Sequence, residues 1–167
     1  MMRSGILILN LFAIAWCGLG LFGAGLSGVA LLVPVAISGA LILWGRRVPA
    51  PPRSAADGAR IGRLIGIWSA VEGGAIFVAI TICQNIGAPD AVVPALAIIV
   101  GLHFLPLARG IPVRLYYATG LALVSVGAAA LLLPGPDRLA PIGFAAAAIL
   151  WASCAALIGR ASRAWPA

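Results

Sequence analysis

A chain of 167 residues that is 63% hydrophobic and 9% charged, with a mean hydropathy of +1.13, cannot coat a water-soluble globule, because an ordinary soluble domain carries about 25% charged residues. The formal net charge of +7 rests on 11 arginines and no lysine, and the arginines fall between apolar runs, which argues against nucleic acid and for contact with lipid headgroups. The fold class expected is all-α: a polytopic membrane protein in which residues 1–167 form a single transmembrane domain.

The start, MMRSGILILNLFAIAWCGLGLFGAG, shares with a signal peptide its early Arg3 and apolar stretch. The stretch exceeds the usual apolar region of about 7–15 residues and contains Asn10 and Trp16, so it reads as a retained helix. Nor is IAWC a good lipoprotein site, since bulky Trp16 stands where a small residue is needed before Cys17. Six apolar runs follow in order, near 5–24, 27–45, 62–85, 91–108, 113–133 and 141–159. Each can span about 30 Å of hydrocarbon at about 1.5 Å per residue. Glycine-rich GLGLFGAGLSG turns the chain between the first two, and short Pro/Gly/Asp stretches turn it at 87–90 and 134–138. Within the first turn, GLSG at 25–28 is similar to the GxSG serine motif of rhomboid proteases, also six-span. Only those four residues and His103 match, and Ser27 lies at the turn opposite the end near His103, so they cannot meet. Residues 46–61 form a basic, Pro-rich linker expected in the cytoplasm between spans two and three. Its first half should be extended, and Ser54-Ala55-Ala56-Asp57 has the pattern of a capping box, so the third helix should begin in water.

Arginine placement supports six spans independently. Ten of the 11 arginines fall on one side: Arg3; Arg46, Arg47, Arg53, Arg60 and Arg63; Arg109 and Arg114; Arg160 and Arg163. Arg138 alone falls on the other, beside Asp137. By the positive-inside rule, both termini are expected in the cytoplasm of a bacterial-type inner membrane. A faint repeat also runs through the chain. Arg3, Arg63 and Arg114 open outgoing spans, Pro34, Pro94 and Pro141 lie early in returning ones, and Arg46, Arg109 and Arg160 close them. This suggests three successive hairpins related in parallel. Gly62, Gly66, Ala70 and Gly74 recur every four residues in the third span, a spacing that lets membrane helices approach closely and makes a homo-oligomer an expected partner state. Cys17, Cys83 and Cys154 lie in apolar runs without CxxC spacing and read as small buried side chains.

Candidate chemistry sits inside the membrane. Glu72, the lone intramembrane carboxylate, lies nine residues past Arg63, about 13 Å along the helix. His103, the one histidine, lies six residues before Arg109 on the returning span, about 9 Å from the same boundary. An isolated charge at mid-bilayer costs at least about 2.5–3.5 kcal/mol, so two groups at similar depth that can share a proton are expected to meet. Asn10, Ser38, Thr119 and Ser153 fall near that depth too. Pro106 leaves the carbonyl of Leu102 without its main-chain donor. Tyr116 and Tyr117 sit near the inner interface, as anchors or as a cap on this layer.

The expected proton-handling or binding site is therefore Glu72 and His103, lined by Asn10, Thr119 and the Leu102 carbonyl. No phosphate-binding loop, metal-site spacing or pair of haem-ligating histidines is present in the sequence, so no metal or other cofactor is expected. The function expected is a proton-linked or pH-gated channel or transporter for a small solute or ion. The alternatives are a small membrane enzyme acting on a lipid or quinone with Glu72 and His103 as acid and base, and a non-catalytic partner subunit. A lateral opening beside Glu72 would favour the enzyme; a watery path would favour transport.

Overall fold

A backbone in lipid has no water to satisfy its amides, so apolar runs must close their hydrogen bonds internally, as helices. The computed structural model describes residues 2–49, 54–111 and 113–164. Among them are six α-helices and no strand: α1 (Met2–Gly23), α2 (Leu32–Arg47), α3 (Ala55–Asn85), α4 (Val92–Gly110), α5 (Leu115–Ala130) and α6 (Leu139–Ala164). Five helical stretches are long and apolar enough to cross a membrane. The protein is an all-α integral membrane bundle.

The exception is α5. The apolar run expected over 113–133 is helical only from Leu115 to Ala130, 16 residues or about 24 Å. Leu131–Leu133 leave the helix through short-range bonds to Ala128, Ala129 and Ala130, ahead of Pro134. Arg138 finds its role here: Nε donates to the carbonyl of Leu133 at 2.9 Å and Nη2 to that of Leu131 at 3.2 Å. Arg138 thus satisfies carbonyls that the end of α5 leaves open.

Three hairpins open their returning helices in the same way. A single 3-10 turn (Gly28–Leu31, Pro89–Ala91, Gly135–Asp137) leads into α2, α4 and α6. Each of those helices carries proline as its third residue: Pro34, Pro94 and Pro141. N–H groups in a first turn have no intrahelical acceptor, so proline loses no hydrogen bond there. Pro106 differs, lying in the interior of α4, which continues past it. Ser54 caps α3, its Oγ accepting from the Asp57 N–H at 3.1 Å and donating to the Asp57 carboxylate at 2.8 Å. Helix α3 has 31 residues, about 46 Å, so its capped start extends beyond a 30 Å hydrocarbon slab. Of the linker's first half, expected to be extended, Arg46 and Arg47 instead end α2, Val48 is extended, and residues 50–53 lie outside the described residues.

The neighbour order is α3–α4–α5–α6–α1–α2, with α6 also touching α2 and α4. The tightest seams are glycine-built. A Cβ at Gly101 on α4 would sit 2.6 Å from the Gly120 carbonyl oxygen on α5, and one at Gly143 on α6 would collide with the Gly20 backbone on α1. Fully buried Ala13, Leu123, Ala146, Leu150 and Ile158 fill the core between them. Helix α3 stands apart: its substantial contact is with α4, leaving a gap towards α1.

Candidate functional site

In the pairing of α3 with α4, Glu72 and His103 meet. His103 Nδ1 lies 3.5 Å from Glu72 Oε2 and 3.2 Å from the carbonyl oxygen of Trp68, one helical turn before Glu72. The imidazole is 11% exposed and the carboxyl 14%, so neither faces freely outward although α3 is otherwise an exposed helix. A carbonyl only accepts, so the Trp68 contact is a hydrogen bond in the forms that carry a hydrogen on Nδ1; with the carboxyl protonated, Nδ1 can instead accept from it and Nε2 carries the hydrogen. The pair can hold its mobile proton in two arrangements, imidazolium with carboxylate or imidazole with carboxylic acid. Phe104 meets the His103 ring edge-on at 6.1 Å between centroids.

Cavities lie on both flanks of this pair. One, of about 210 Å³, is lined by Trp68, Val71, Ala75, Ile99 and Leu102 together with Glu72 and His103. The other, of about 150 Å³, is lined on α3 and α4 by Ile65, Ser69, Val100, Phe104 and Leu107, again with Glu72 and His103. At about 100° per residue, Ile65 and Ser69 fall on one side of Glu72 and Trp68, Val71 and Ala75 on the other; Val100, Phe104 and Leu107 divide from Ile99 and Leu102 about His103 in the same sense. The first cavity is thus an outward groove made by α3 and α4 alone. The second is an inner cleft, closed from behind by Leu9 and Phe12 of α1, Tyr116 of α5 and Leu150 of α6. The pair forms the partition between them. Both cavities are walled almost wholly by apolar side chains, and both open sideways, past half-exposed Val71 and Leu102 in the groove and Ile8 and Phe12 in the cleft.

The other residues expected at the site are placed differently. Asn10 is 1% exposed and lines neither cavity. Its Nδ2 donates to the Ile6 carbonyl at 2.8 Å and to Cys154 Sγ at 3.2 Å, while Oδ1 is buried without a partner among the described residues. Ser38 joins the same seam between α1, α2 and α6, receiving the Trp151 Nε1–H at 2.9 Å. Thr119 Oγ1 lies 2.7 Å from Ser153 Oγ, tying α5 to α6, and it too is outside both cavities. What was expected as one polar layer is therefore three separate contacts, because each group is taken up by the helix nearest to it. Leu102 does line the outer groove, beside Glu72 and His103, and Pro106 leaves its carbonyl without a main-chain donor. Tyr116 lines the inner cleft with its ring 5.4 Å from that of Phe104, whereas Tyr117 is exposed.

Sequence reasoning overlooked Trp68 and Ser69. Their signal was present, since positions three and four before Glu72 share its helix face. It also overlooked Phe12, which only the return of α1 against the cleft brings near. Among the described residues no three His, Cys, Asp or Glu side chains converge to hold a metal ion. No curated protein and no solved structure matches the chain. A family model does match, over residues 5–160 and so over all six helices: the chain belongs to the Family of unknown function (DUF7010).

Proposed function

We propose that this protein binds a small, membrane-dissolved molecule beside Glu72 and His103 and exchanges a proton with its polar group. The observation that carries this reading is the carboxyl–imidazole contact of 3.5 Å standing between two apolar cavities that open towards lipid. Ionisable groups in such surroundings are costly, and they mark ligand, ion or proton sites by default. Here Glu72 and His103 act as acid and base, Ser69 orients the polar group, and the half-exposed walls admit the apolar remainder from the side. Six crossings with both termini in the cytoplasm of an inner membrane belong to the same proposal, supported by the ten arginines that fall on one side when the chain is divided into six spans. Association of copies belongs to it too, through the α3 face bearing Gly62 and Gly66, where added Cβ atoms would meet nothing.

The test is photolabelling in liposomes with a diazirine-bearing fatty alcohol. Labelling at Trp68 and Leu102 is expected in the wild type and should fall several-fold in Glu72→Leu. Equal labelling of the two proteins would overturn the reading.

Proton-linked transport of a small solute or ion is the second reading. One observation favours it: the inner cleft runs from the pair to Gly5, Ile111 and Tyr116, at the end of the bundle that carries the arginines. Proton or solute flux in liposomes would then be lost in Glu72→Gln. Background flux in both wild type and variant would remove it.

A further inference from the structure

The inner cleft is small, with a volume of about 150 Å³. A cavity of about that volume lined by Leu, Ile and Phe side chains accommodates one benzene ring. The wall here has the same character, with Leu9, Ile65, Leu107 and Ile111 beside the rings of Phe12 and Phe104. Aromatic walls favour an aromatic guest through edge-to-face contact, beyond the area it buries. Besides Tyr116, the polar side chains of this wall are Ser69, Glu72 and His103, and the last two are in contact.

Resting on the binding reading above, we infer that the cleft takes a monocyclic phenol. Its ring lies among the apolar side chains and its hydroxyl faces the Glu72–His103 pair. The hydroxyl is suited to that position because it can donate to the carboxyl oxygen and accept from an imidazole N–H. A plain hydrocarbon ring would leave the polar atoms of the pair facing it without partners, and a charged guest would bring a further ion into apolar surroundings. A substituent opposite the hydroxyl leaves through the gap between α1 and α3, past Ile8 and Phe12, which are 46% and 48% exposed. The volume of the cleft limits the enclosed part to a single ring.

Competition against the photolabel tests this. 4-Propylphenol and propylbenzene are compared at equal mole fraction in the bilayer, with labelling read at Ser69, which lines the cleft. The phenol is expected to protect at a concentration at least tenfold lower than the hydrocarbon. In Ile65→Trp, which fills the cleft without altering the pair, protection by the phenol should disappear. Equal protection by the two compounds, or undiminished phenol protection in Ile65→Trp, would overturn the assignment. Glu72-dependent labelling that 4-propylphenol leaves untouched would reject the phenol and leave the binding reading standing. Labelling independent of Glu72 would bring down both.

Discussion

Glycine does opposite things on α5 and on α3. Along the α4–α5 seam the helices approach until side chains no longer fit: a Cβ at Gly120 would lie 2.5 Å from the Gly101 carbonyl oxygen, and one at Gly127 2.7 Å from that of Pro94. On α3 a Cβ at Gly58, Gly62, Gly66, Gly73 or Gly74 would meet nothing. The spacing of small residues is as regular on α3 as on the seams. The difference teaches that such spacing permits close approach without bringing it about. Lipid tails are as apolar as leucine, so a membrane helix gains little from burial as such and associates only where a matching surface is presented. Helix α4 offers α5 that surface along its length. It offers α3 a narrower one, and the gap left beyond it becomes the cleft under Glu72.

The largest effect should come from the seam. Gly120→Ala is expected to destabilise the fold by about 1–3 kcal/mol through overpacking, read as a lower midpoint in detergent-induced unfolding. An unchanged midpoint would mean that α4 and α5 are not in backbone contact. A smaller effect should come from the hydroxyl bridge between α5 and α6. A double-mutant cycle on Thr119→Val and Ser153→Ala should return a coupling of about 0.6 kcal/mol, the usual scale for such bonds between membrane helices. Zero coupling would show that the two hydroxyls bond only to their own helices. The smallest effect belongs to α3: in the detergent-isolated monomer, Gly66→Ala should leave the midpoint unchanged or raise it, by no more than about 1 kcal/mol of helix propensity. A loss as large as that of Gly120→Ala would put a neighbour against that face and erase the contrast.

The site was partly legible in the sequence, for a specific reason. Glu72 and His103 can be assigned depths by counting from Arg63 and Arg109, and a short turn makes their helices neighbours, so a meeting was expected, while the 3.5 Å contact itself depends on how α3 and α4 face each other. Asn10 and Thr119 could be assigned depths equally well, yet depth does not say which way a side chain faces or which distant helix will lie there. The return of α6 between α1 and α5 decided that, taking Asn10 to Cys154 and Thr119 to Ser153. Arg138 was legible as an exception and explicable only once the short end of α5 was in place.

What the sequence determined by itself was a set of one-dimensional quantities: the all-helical character, the approximate position of each apolar helix, and the Ser54 cap. These are local, set by hydropathy and backbone hydrogen bonding within a dozen or so residues. What only the tertiary structure decided was the arrangement in the membrane plane: that α6 is central and α3 peripheral, that three pairs replace one polar layer, and that the acid and imidazole divide an outer groove from an inner cleft. In lipid that arrangement depends on how backbone surfaces fit one another, a property of helix pairs that no single helix carries.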